Sequence, residues 1–122
     1  MRQLCPQCRV AYDISESPAT FAEIQSLLEP GLGSFIYGPG GCDQCRHQGY
    51  IGRVGVFEIM SFNRELRKLI LEARPAEELQ QAAIAAGMVE FRRAAMLKVA
   101  QGITSTEEML RELPAEYLGL EV

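Results

Sequence analysis

Cys5, Cys8, Cys42 and Cys45 are the only cysteines in the chain, and they form two C-x-x-C pairs, in LCPQC and GCDQC, separated by 33 residues. Two residues between sulfurs let a tight turn aim both at one point. Two such turns facing each other give the tetrahedral four-sulfur site that Zn²⁺ accepts. Gly40 and Gly41 ahead of Cys42, and Pro6 inside the first pair, are turn residues that suit such knuckles. Four thiolates close the coordination shell, so the spacing points to a structural zinc. A catalytic one keeps a position open for water. A disulfide framework, with three possible connectivities, and a redox C-x-x-C are the alternatives. Both are weakened by an N-terminus that lacks the charged, apolar, small-residue order of a secretory signal. His47, two residues past Cys45, could replace a cysteine, but with four thiolates available it has no vacancy to fill and reads as a surface histidine or one beside the ligands.

Other chemistry is sparse. No G-x-x-x-x-G-K-[ST] phosphate loop occurs: Gly38, Gly40 and Gly41 lie close together without a following lysine or hydroxyl at the needed offset. The single histidine excludes H-E-x-x-H and any histidine pair. Glu77, Glu78, Glu107 and Glu108 fall near expected helix starts, where carboxylates favour the helix dipole without acid–base work. Arg53 sits between glycines in an apolar run, where it could reach a phosphate or a partner carboxylate; a structural ion pair or a solvent-exposed strand position is the plainer reading. No catalytic residue is assigned.

The elements that would carry these residues change character near residue 61. Ser17 and Pro18 read as the start of a helix with Phe21, Ile24, Leu27 and Leu28 on one face, stopped by Pro30 and Gly31. Phe35, Ile36 and Tyr37 suggest a short strand entering the second knuckle. Tyr50 to Met60 reads as a strand or bent pair of strands in which Gly52 and Gly55 permit a bulge. Beyond Ser61 the period is helical. Asn63 caps a first helix, Pro75 opens a second that Gly87 ends, and Met88 to Val99 makes a third closed by Gly102. Thr104 with Glu107 forms a T-x-x-E capping box for a fourth, stopped by Pro114. The expectation is an α+β chain. Residues 1–60 form a small tetracysteine zinc module with short strands, 61–113 a C-terminal helical bundle with its own caps and no need of metal, and 114–122 a tail that is disordered or packs back through Tyr117 and Leu118.

Composition sets the outer limits. At 122 residues with 48% hydrophobic content, the chain holds about one domain's core. Its 12 Lys and Arg against 16 Asp and Glu give a net charge of -4, which disfavours broad binding to nucleic-acid phosphates. The apolar stretches fall well short of the roughly 20 residues that span a bilayer, and a cytosolic location is expected.

LCPQCRVAY, GCDQCRHQGYIGRVGVFEIM and AGMVEFRRAAMLKVAQGITSTEEMLRE resemble, in that order, the C-terminal part of the type II secretion and type IV pilus assembly ATPases, the general secretory pathway protein E family. The resemblance runs over about residues 4 to 113, and PAEYLGLEV carries no family motif. It implies a hexameric cytoplasmic motor, peripheral to the inner membrane, that works on a membrane-platform protein and neighbouring ATPase subunits. It also implies that the ATP and Mg²⁺ groups belong to a nucleotide-binding core preceding this segment, so that the chain is a fragment. The four cysteines would then hold zinc in a subdomain projecting from that core, and the strand from Gly52 to Met60 would return toward it. The alternative is a free-standing zinc-ribbon adaptor that binds protein or nucleic acid without a motor.

Overall fold

The computed structural model describes residues 1–113; the tail at 114–122, with Pro114, Tyr117 and Leu118, lies outside the described residues. The fold is α+β. Strands β1 (Arg2–Leu4), β2 (Val10–Asp13), β3 (Phe35–Gly38) and β4 (Tyr50–Arg53) form two antiparallel ribbons, β1 with β4 and β2 with β3. Each ribbon therefore joins a segment beside the first cysteine pair to one beside the second. In the β1–β4 ribbon Leu4 faces Tyr50 and Arg2 faces Arg53, which leaves one extra residue on β4. Gly52, at φ 73°, absorbs that bulge as expected.

β4 stops earlier than the sequence pattern indicates. Met1 and Val54 exchange two backbone hydrogen bonds of 2.8 Å, the last pairing of this ribbon among the described residues. The β-branched and aromatic residues that follow favour a strand only when a neighbour is present to pack against. Without one, 54–63 has no regular structure, and Phe57, Ile59 and Phe62 are 70%, 71% and 57% exposed.

Pro18–Leu27 is a run of 3₁₀ turns kinked at Phe21, followed by helices α1 (Arg64–Leu71), α2 (Ala76–Ala85), α3 (Phe91–Ala100) and α4 (Thr106–Glu112). Asn63 caps α1 as expected, its side chain accepting from Leu66 N at 2.8 Å. The N-cap of α4 is Ser105, one residue further on than the T-x-x-E reading places it, and the Glu108 carboxylate bonds Arg2 and Arg111 instead of closing a capping box. Ser105 Oγ accepts from Glu108 N at 3.1 Å, and Thr104 and Ser105 are both buried. α3 receives its cap from outside: the Glu58 carboxylate, in the irregular segment, accepts from Phe91 N at 3.0 Å.

Packing crosses the change of period at residue 61. The core is Phe21, Ile24, Val99 and Ala100, supported by Ile14, Leu28, Ile36, Met96, Leu97 and Met109, so α3 rests on the 3₁₀ segment and β3. Leu27, on the expected apolar face, is 39% exposed. Fully buried Ile24 contributes about 2–3 kcal/mol by transfer from water alone. α1 and α2 lie against each other with Leu66 and Ala83 buried. No described helix is long and apolar enough to cross a membrane.

Candidate metal centre

The two knuckles bring all four cysteine sulfurs within 4.8 Å of one another. Cys5 and Cys42 are 3.8 Å apart, Cys8 and Cys45 3.7 Å, and Cys42 and Cys45 3.8 Å. A tetrahedron of thiolates around zinc, with bonds of about 2.3 Å, sets its sulfurs about 3.8 Å apart. The spacing is far beyond the ~2.05 Å of a disulfide, and all four cysteines are free. The donor set thus fits zinc, which when bound would act as a cross-link between the two knuckles and offer no open position.

Backbone geometry builds each half. In the second knuckle Cys42–Cys45 forms one 3₁₀ turn, His47 N donates to Cys42 O at 2.8 Å, and the chain reverses through Arg46, His47 and Gly49, all at positive φ. That reversal points Gly49 N at Cys45 Sγ, a 3.2 Å hydrogen bond in the buried interior. In the first knuckle Arg9 N donates to Cys5 O at 3.1 Å. The knuckles meet at Gly40, where a Cβ would overlap the Cys8 carbonyl, so only glycine fits. Cys5 N then donates to Gly49 O at 2.9 Å and joins the two turns.

Four close sulfurs cannot all ionise without a cation among them. Burial and the neighbouring sulfurs push the Cys8 thiol up to about 12. Burial also raises Cys45, but the backbone hydrogen bonds at Cys42 and Gly49 outweigh it and hold this thiol down to about 6. The polypeptide thus favours a thiolate at Cys45, whose Sγ accepts from Gly49 N.

Residues next to the ligands are fastened to the turn before α4. Leu4 N donates to Ile103 O at 2.8 Å, Thr104 Oγ1 to Arg2 O at 2.8 Å, and Arg9 Nη1 to Gly102 O at 2.7 Å. Tyr50 Oη and Ser105 Oγ share a 2.6 Å hydrogen bond. The Arg2 main-chain N donates to Glu108 Oε2 at 2.7 Å, and its guanidinium meets both carboxylate oxygens at 3.0–3.2 Å while lying over the Tyr50 ring. Hydrogen bonds from Arg2 outweigh burial and hold the Glu108 carboxyl down to about 2. From the sequence, Glu108 has a helix-dipole role and a place, with Ser105, in the G-I-T-S-x-E-E segment of the family resemblance, and Arg2 has no assigned part. The S-x-x-E spacing of Ser105 and Glu108 within that segment is the local signal for the cap.

The other singled-out residues lie apart from the sulfurs. His47 is exposed and pairs with Asp43 at 3.0 Å, outside the four-sulfur group. Arg53 is exposed beside Arg2, Glu108, Arg111 and Glu112, and forms no ion pair among the described residues. Arg92, expected on a polar helix face, reaches Glu23 at 2.9 Å.

Comparison with known proteins places this arrangement. The profile of a family described as type II/IV secretion system protein matches residues 1–111. The chain is 38% identical over 114 residues to the type IV pilus assembly ATPase TfpB of Acinetobacter baylyi, covering 93% of this chain and 19% of that protein. It is 35% identical over 115 residues to the type IV pilus assembly ATPase PilB of Myxococcus xanthus, covering 89% and 19%. Against type II secretion system protein E of Pseudomonas aeruginosa it is 31% identical over 111 residues, covering 91% and 21%. The chain spans about a fifth of the length of these curated relatives.

Proposed function

This chain belongs to the type II/IV secretion system protein family, and on that premise we propose that it serves as the non-catalytic C-terminal portion of a hexameric ATPase that powers type II secretion or type IV pilus assembly. In this reading Cys5, Cys8, Cys42 and Cys45 hold one structural zinc. The zinc-bearing residues 1–60 and the helical residues 61–113 set an orientation between the motor and its neighbours. Those neighbours are adjoining subunits and the inner-membrane platform protein, on the cytoplasmic side. ATP and Mg²⁺ are bound by parts of the motor beyond this chain, and Arg53 is available to a carboxylate on a neighbour.

The observation that carries this reading, beyond family membership, is the segment 54–62. It presents Phe57, Ile59 and Phe62 to solvent in a stretch that continues β4 but pairs with no strand among the described residues. A free-standing adaptor would gain nothing from such a liability, whereas a segment that docks into a larger body requires it.

Co-expression with the nucleotide-binding portion of a family ATPase tests the proposal. The expected result is a complex in which the 54–62 amides become protected from hydrogen exchange, with ATP turnover absent from the chain alone and present in the complex. A chain that stays apart from that portion, and instead retains nucleic acid at physiological salt, is a zinc-ribbon adaptor.

A further inference from the structure

The metal site and the last described helix are joined by a set of contacts too specific to be incidental packing. Every anchor on the α4 side falls within Gly102–Glu108, and every anchor on the other side lies within four residues of Cys5 or within five of Cys45. Among them, Thr104, Ser105 and Glu108 are at most 2% exposed, so their polar groups have no water to turn to if these contacts open. The first knuckle carries two of the four sulfurs, so a displacement of β1, which leads into Cys5, moves that sulfur relative to Cys42 and Cys45.

We propose that Glu108 is a positioning residue of the metal centre. By gripping the main-chain N–H and the guanidinium of Arg2 it fixes β1, and β1 leads directly into Cys5, three residues on. Zinc uptake and docking of α4 are then two readouts of one equilibrium. When α4 is docked, the first knuckle already faces the second and less ordering remains to be done on binding. When α4 is loose, the sulfur cage is competent only part of the time and the apparent affinity falls by that fraction. Linkage makes the effect reciprocal, so zinc must favour docked α4 to the same degree. The α1–α2 pair contributes no hydrogen bond to this set and stays outside the coupling.

Zinc affinity of the whole chain, measured by competition with a chromophoric chelator, tests the proposal. Glu108→Gln keeps the shape and removes the charge that holds Arg2, while Thr104→Val independently removes the bond to Arg2 O. Each should weaken zinc by about tenfold, the scale on which supporting residues around a metal act. Leu66→Ala, a cavity mutation in α1, should leave the affinity unchanged. Hydrogen exchange supplies the reciprocal arm: on zinc removal the α4 amides should lose protection while those of α2 keep theirs. Affinities of Glu108→Gln and Thr104→Val within about twofold of the unmodified chain, a factor below half a kcal/mol, overturn the linkage. So does an equal loss in Leu66→Ala, which would report global stability alone. A chain that takes up no zinc at all overturns the metal centre and the linkage with it.

Discussion

Arg2 and Glu108, 106 residues apart, meet in a bidentate pair in which the Glu108 side chain is 1% exposed while the Arg2 side chain is 42% exposed. The asymmetry decides what each substitution does. Removing Arg2 leaves a buried anion with only Arg111, at 3.2 Å, to compensate it. Removing the charge from Glu108 leaves a cation that can turn outward. Arg2→Ala should therefore destabilise the fold by about 3 kcal/mol or more, and Glu108→Gln by less, about 1–2 kcal/mol. Denaturant titration of the two zinc-loaded variants gives the order directly, and the reverse order would mean that the carboxylate is not desolvated as the geometry indicates.

The same pair makes stability depend on acid. The Glu108 carboxyl is held at about 2, below its ordinary 4.5, so protons favour the unfolded chain. Its contribution, about 3 kcal/mol at most, is fully present above pH ~4.5 and is lost as pH falls toward ~2. Acid also protonates zinc-bound thiolates, which affects every variant. The informative quantity is the difference in stability between the unmodified chain and Glu108→Gln, which should shrink steadily over that window. A difference that stays constant from pH 5 to pH 2 would assign the effect to the sulfurs.

What could be read from the sequence follows the range of each interaction. The four-cysteine site was legible because C-x-x-C is a local pattern with one dominant geometry, and the Asn63 cap because a cap acts within one turn. β4 was drawn too long because Val56, Phe57 and Ile59 have strand propensity that only a neighbouring strand can satisfy. The Arg2–Glu108 pair and the Glu58 cap on α3 were out of reach, since no local signal links residues 106 or 33 positions apart. The position of α3 against the 3₁₀ segment was missed for the same reason. Its apolar face is visible in sequence, but the partner it covers is chosen by the fold.

Gly40 offers a test of the knuckles that leaves every ligand in place. A methyl group there would run into the Cys8 carbonyl, a backbone atom that cannot rotate aside. Gly40→Ala should therefore push the first pair away from the second and cost more than about 2 kcal/mol, with zinc content per chain falling well below the one ion expected. Gly41→Ala is the matched control: its nearest neighbour, His47 O, is 3.3 Å from the added carbon, so a small shift suffices. Elemental analysis of both purified variants decides it. Full zinc in Gly40→Ala would mean the knuckles approach each other with more freedom than this structure allows.

The exposed segment predicts a separation between stability and assembly. Phe57 and Ile59 are 70% and 71% exposed and contribute little to the core, so replacing both with Lys removes little buried apolar surface. Denaturation midpoint and zinc content of the chain should stay within experimental error of the unmodified protein, and its tendency to self-associate should fall, because two charges now guard an unpaired edge. If this stretch is the strand that docks into a motor core, the same double substitution placed in a full-length ATPase of the family should impair hexamer formation and ATP turnover together. Loss of stability in the isolated chain would show that Phe57 and Ile59 are packed in solution. Normal assembly of the full-length variant would show that the core is held through some other surface.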